Sequence, residues 1–198
     1  MTDAVSSNTP ATAPADAAAT QAALEVITLG GGCFWCTEAV FLQVRGVVSV
    51  ESGSCNGHVR NPSYEAVCSG ATGLAEVMQL RLAPDQISLA EILRVFLATH
   101  DPTTLNRQGH DVGTQYRSGI HWHEPAQADV ARAVLAEAAG AFAAPIVTEL
   151  VALSNYSAAE AYHQRYFELH PGQGDCAHVI APKVAKFRHA FARHQRSH

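Results

Sequence analysis

Between Leu24 and Val44 the chain reads LEVITLGGGCFWCTEAVFLQV. LEVITL is rich in β-branched and apolar residues, as a buried strand requires. Phe34, Ala39 or Val40, Phe41 and Val44 then recur with helical spacing. Gly30, Gly31 and Gly32 lie where the period changes and the chain must turn tightly. A strand, a tight turn and a helix at the start of a chain point to a mixed α/β fold.

The rest of the chain extends that pattern. GVVSVESGSC and AEVMQLRLAP read as two more strands, joined by a loop rich in Gly, Asn, Pro and Ser. Ser88 and Glu91 form a capping box for a second long helix, with Ile87 stapled to Ile92, ending near His100 before Pro102. DPTTLNRQGHDVGTQ is long and polar enough for a functional loop, and YRSGIHWH reads as a strand. An Ala-rich helix from about Pro125 to Phe142, a strand PIVTELVAL and a short helix opened by Ser157 and Glu160 follow. The order β-α-β-β-α-β predicts an α+β fold: a two-layer sandwich with a split βαβ, ferredoxin-like core and a loop-rich C-terminal extension.

With 198 residues, one domain is expected over residues 23–198. Residues 1–22 are Ala, Thr, Ser and Pro with hardly a large apolar side chain, a composition that predicts a disordered tail. Asp3, Pro10, Pro14 and Asp16 argue against a secretory signal, and a cytoplasmic location is the expectation. No apolar run reaches the roughly 20 residues of a membrane span. Net charge −5 with 16% charged residues gives no basic surface for nucleic acid.

Five cysteines, an odd number scattered through the chain, read as free thiols. Cys33 and Cys36 form a CxxC, which admits three readings. A structural zinc site needs a second close pair of ligands, and only His121 and His123, alternating on a strand, come near to offering one. A thioredoxin-like exchanger also places CxxC at a helix start after a strand. Phe34 and Trp35, however, suit a small apolar pocket better than an open docking platform. In the third reading Cys33 alone is a nucleophile, its thiolate stabilised and its pKa lowered by the helix N-terminus.

GCFWCTEAVF, NPSYEAVCSG, RQGHDVGTQYRSGI and CAHVIAPKVAKF occur in that order. With these blocks the chain resembles the peptide methionine sulfoxide reductases of the A type, from about Leu24 to Phe187. The resemblance implies reduction of the S epimer of methionine sulfoxide, free or in proteins, without metal or organic cofactor. Thioredoxin is the implied reductant, dithiothreitol a laboratory substitute, and a monomer is expected.

Residue by residue, Cys33 falls on the nucleophile, and Phe34 and Trp35 on rings that hold the substrate methyl. Glu76 falls on the acid, Tyr64 and Tyr116 on groups that bind the sulfoxide oxygen, and Asp111 on a supporting acid. A sulfoxide is a poor electrophile until its oxygen is protonated, so a carboxyl of raised pKa beside two phenols suits the step. The resulting sulfenic acid needs a second thiol. Cys176, in a segment loosened by Gly172 and Gly174, is the preferred resolving residue, with Cys36 the alternative. Cys68 reads as a packed thiol, and Lys183 and Lys186 as surface charges. Where the family usually has Gly-Tyr-x-Gly-Gly this chain has GSCNG, Gly53 to Gly57. Leu74 and His110 stand where His and Asn are common. Loss of the ring at Ser54 predicts a reshaped pocket rim and an altered range of alkyl and aryl sulfoxides.

Overall fold

A computed structural model describes residues 23–170, 172–174 and 176–196, without the side chains of Cys176 and Ala177. The expected tail, 1–22, lies outside the described residues. Strand β1 (Glu25–Gly31) leads into α1 (Phe34–Phe41), then β2 (Val47–Cys55), a short α2 (Tyr64–Cys68), β3 (Ala75–Leu82) and α3 (Leu89–Thr99). A two-strand hairpin, β4 (Arg107–Gln108) and β5 (Asp111–Val112), precedes β6 (Ser118–Trp122) and α4 (Pro125–Ala138). The chain continues through β7 (Glu149–Ala152), β8 (Ser157–Ala158), α5 (Tyr166–Leu169) and α6 (Ala181–Ala190).

The main sheet runs β7-β6-β1-β3-β2-β8. All its pairings are antiparallel except β6 with β7. β1 and β2, linked through α1, lie on either side of β3. Side chains alternate across a strand, and this alternation separates the two faces of the sheet. Ile27 and Leu29 of β1, Met78, Leu80 and Leu82 of β3 and Ile120 of β6 join Phe41, Phe96, Val134 and Phe187 of the helices in one core. The odd-numbered positions of β3, Ala75 and Val77, pack on the opposite face with Cys55, Leu153 and Tyr156. Fully burying a side chain such as Phe41 or Leu93 stabilises the fold by about 1.5–3 kcal/mol.

The expected mixed two-layer architecture is present, and several local expectations are corrected. Ser157 and Glu160 do not cap a helix. The β2 edge captures Ser157 and Ala158 as partners of Ser54 and Gly53, and a 3₁₀ turn, Ala161–His163, follows. The C-terminal extension is not loop-rich throughout: α6 buries Val184 and Phe187 against α1 and α3. α2, expected as loop, is a helical turn whose N-cap, Ser63, accepts from Ala66 N–H.

The Ser88–Glu91 capping box does form, with Glu91 N–H donating to Ser88 Oγ (3.3 Å) and Ser88 N–H to Glu91 Oε2 (3.1 Å). Ser88→Ala is expected to cost about 1 kcal/mol, read as a lower urea midpoint at unchanged m-value.

Candidate active site

The turn after β1 places Cys33. Gly32 has φ +88°, and a Cβ there would lie 2.6 Å from Cβ and Cγ of Gln108. Gln108 cannot retreat easily, because its amide both accepts from Asp101 N–H (2.9 Å) and donates to Asp101 O (3.0 Å). Cys33 is the N-cap of α1 and its carbonyl accepts from Cys36 N–H (3.1 Å). The two cysteines therefore share one turn, and residues three apart face the same side. A cavity of about 190 Å³ opens beside them, lined by Cys33, Trp35, Cys36, Tyr64, Asp111, Tyr116, Val179 and Ile180.

Glu76 enters from β3, fully buried. Phe34 N–H donates to its Oε2 (3.1 Å), while Oε1 is enclosed with no hydrogen-bond partner among the described residues. Burial, reinforced by the charges of Asp111 and Cys36 and opposed by the Phe34 N–H, pushes its carboxyl up to about 7. Burial also raises both phenols, Tyr116 to about 12 and Tyr64 further, so both remain donors. The charge on Glu76 adds to each shift.

The thiol pair corrects the expected lowering of Cys33. Its hydrogen bond with Cys36, its burial, and negative charge at Cys36 and Glu76 push Cys33 up, although Trp35 N–H pulls the other way. The same hydrogen bond, and the Lys183 ammonium, draw Cys36 down to about 7 against its burial.

The aromatic wall is thicker than the sequence reading foresaw. Trp35 lines the cavity, while Phe34 is buried behind it at 6.1 Å and 5.9 Å from the Trp35 and Tyr64 rings. Tyr166 lies flat against Trp35, centroids 3.9 Å apart and planes 9° apart. His163 packs on Phe34, Trp35 and Tyr64 with both ring nitrogens buried and without a hydrogen bond among the described residues, and burial lowers its pKa. His163 and Tyr166 were missed. The dense run AYHQRY at 161–166 was the available signal.

Ser54 is not at the cavity mouth. It stands opposite Glu76 in the ladder and lines a cleft of about 10 Å³ with Phe34, Pro62, Tyr64, Val67 and Ala158–Glu160. Cys55 points to the opposite face of the sheet, where burial pushes it up to about 12. The Cys176 side chain lies outside the described residues. His121 is enclosed, His123 meets Thr28 Oγ1 at 3.0 Å, and among the described residues no three His, Cys, Asp or Glu side chains converge as a metal would require.

A paired thiol, a protonatable carboxyl and two phenols around a small apolar cavity define a thiol-dependent oxidoreductase. Residues 25–195 match the family model for peptide methionine sulfoxide reductase. The chain belongs to that family. It is 56% identical over 176 residues to peptide methionine sulfoxide reductase MsrA of Ralstonia nicotianae, covering 86% of this chain and 92% of that one. The fold is similar to methionine sulfoxide reductase A of Corynebacterium diphtheriae, with TM-score 0.75 and 35% identity over 80% of each chain. It is also similar to yeast Mxr1 in a complex with Trx2, with TM-score 0.52 and 26% identity over 73% of this chain and 86% of that one.

Proposed function

We propose that the enzyme reduces the S epimer of methionine sulfoxide, free or in proteins, by thiol chemistry at Cys33, with no metal or organic cofactor. The buried, unpartnered Oε1 of Glu76 carries the reading, because a carboxyl near its midpoint at neutral pH can deliver a proton there. The substrate methyl packs on Trp35, backed by Phe34, and the sulfoxide oxygen points to Glu76, Tyr64 and Tyr116, with Asp111 in support. The Cys33 thiol passes its proton to the Cys36 thiolate and attacks sulfur. A Cys33–sulfur bond forms as Glu76 protonates the sulfoxide oxygen. The hydroxyl then passes to the Cys33 sulfur as its bond to the methionine sulfur and the Cys33–methionine bond both break, leaving Cys33 a sulfenic acid and releasing methionine.

Cys36 then attacks the Cys33 sulfur, forming a disulfide and releasing water. The shared turn and the lowered pKa support Cys36 as the first resolving thiol. Cys176 then relays the oxidation outward by thiol–disulfide exchange. A thioredoxin dithiol completes the cycle, a step supported by the complex of the related Mxr1 with Trx2. Any change of substrate range caused by Ser54 acts through the packing of Phe34.

With dithiothreitol and racemic methionine sulfoxide, one epimer only is expected to disappear, and none with Cys33→Ser. Consumption of both epimers, or full activity of Cys33→Ser, overturns the reading in favour of a general disulfide exchanger or other chemistry. Mass mapping after one turnover of Cys176→Ser should find Cys33 joined to Cys36. A persistent sulfenic acid there would return the first step to Cys176.

A further inference from the structure

Glu38 is fully buried, sits on α1 one turn beyond Trp35, and is not used by the chemistry above. Burying a carboxylate is costly unless its oxygens are hydrogen-bonded. Here they are held by the backbone of a distant segment: Arg165 N–H donates to Oε1 (2.8 Å) and Tyr166 N–H to Oε2 (3.3 Å). Arg165 adopts a left-handed conformation, φ +56° and ψ 34°, which a non-glycine residue holds only when its surroundings impose it. The Arg165 side chain is engaged elsewhere, with Glu168 (2.7 Å), so the carboxylate acts on the backbone alone.

That backbone carries Tyr166, the ring that lies flat on Trp35. Tyr166 does not line the cavity; Trp35 does. The Tyr166 ring therefore backs the wall that the substrate methyl meets. No other aromatic contact of Trp35 is as close or as parallel among the described residues: Phe34, Tyr64 and His163 lie at 6.1, 6.2 and 5.5 Å, tilted by 46°, 28° and 33°. Among the described residues the buried Trp35 indole N–H has no hydrogen-bond partner, so stacking is what holds the ring there.

We propose that Glu38 is a positioning residue for the sulfoxide pocket: by clamping Arg165 and Tyr166 N–H it holds Tyr166 against Trp35 and sets the plane of the methyl-binding wall. The pocket assignment rests on the function proposed above; the clamp itself does not.

Glu38→Gln keeps the side-chain shape and one acceptor oxygen but turns an N–H toward the second donor. The expected result is a rise of about tenfold in KM for methionine sulfoxide with kcat changed less than twofold, the loss of one charged hydrogen bond. In a Trp122→Phe background, where Trp35 is the remaining indole, its emission should shift without substrate present. Tyr166→Leu should reproduce both changes, Tyr166→Phe neither, and Glu38→Gln added to Tyr166→Leu should raise KM no further. Unchanged Trp35 emission and KM in Glu38→Gln overturn the proposal, as does additivity of the two substitutions. If Glu38→Gln does not fold, Tyr166→Leu decides, and wild-type KM and emission there overturn it. Because emission is read without substrate, a shift in emission with no sulfoxide activity in any variant sinks the proposed reaction while sparing the clamp.

Discussion

Glu76→Gln is expected to lower kcat/KM for methionine sulfoxide by about 10²–10⁴-fold, the usual contribution of a positioned general acid. The substitution preserves size and the acceptor for Phe34 N–H, so the loss isolates the proton. Only the protonated carboxyl can donate, and burial places its midpoint at about 7. Wild-type activity should therefore fall as pH rises through about 7. The amide variant should lack that descending limb, and a limb that survives in Glu76→Gln would remove Glu76 from the acid role.

Stability gives the same group a second readout. A carboxyl raised in the fold binds its proton more tightly than in the unfolded chain. Between the ordinary carboxylate range and about pH 7 the native state thus holds more protons than the unfolded state, and stability declines with rising pH. Above pH 7 the cost is constant. Glu76→Gln should accordingly be more stable than wild type at pH 8, and by a smaller margin at pH 5. An enzyme made more stable by losing its acid would show that the raised pKa is maintained at the fold's expense.

Gly32→Ala is expected to destabilise the protein severely, because a strained backbone and a steric clash act at the same position. The left-handed φ alone costs roughly 1–3 kcal/mol for a residue with a Cβ. The 2.6 Å approach to Gln108 adds overpacking of about 1–3 kcal/mol. For a chain of this length a loss of 3 kcal/mol lowers Tm by about 6–12 °C. Because Cys33 follows directly, activity measured well below Tm should fall too. Gln108→Gly in the same molecule, which removes both clashing carbons, should recover the packing part and leave the backbone part. Full recovery would mean that the turn carries no strain.

The strand–turn–helix at the start and the Ser88–Glu91 cap were legible because each depends on a few neighbouring residues. The Ser157–Glu160 pair obeys the same local rule and misled, since nothing local reveals that the β2 edge needs Ser157 and Ala158. Glu160 is engaged as well: its Oε1 accepts from Tyr64 N–H (3.2 Å). Site residues carried by recognisable motifs, Cys33, Trp35, Tyr64, Asp111 and Tyr116, do line one cavity. Phe34 and Glu76 stand just behind it. Tyr166 and His163 were invisible because a ring contributes through its stacking partner, and stacking across some 130 residues has no sequence period. The direction of the Cys33 shift was missed for a related reason. The helix terminus favours the thiolate, but the hydrogen bond with Cys36 is the largest opposing effect, and the burial that adds to it is supplied by tertiary packing.

Met78 in the helix-facing core has a consequence for the enzyme's own durability. The chain contains two methionines, Met1 and Met78, and Met78 is fully enclosed between β1, β2 and the helices. An oxidant in solution reaches no thioether in the folded region unless the sheet opens. A catalyst that repairs oxidised methionine thus carries, in its described fold, a single thioether and keeps it out of an oxidant's reach.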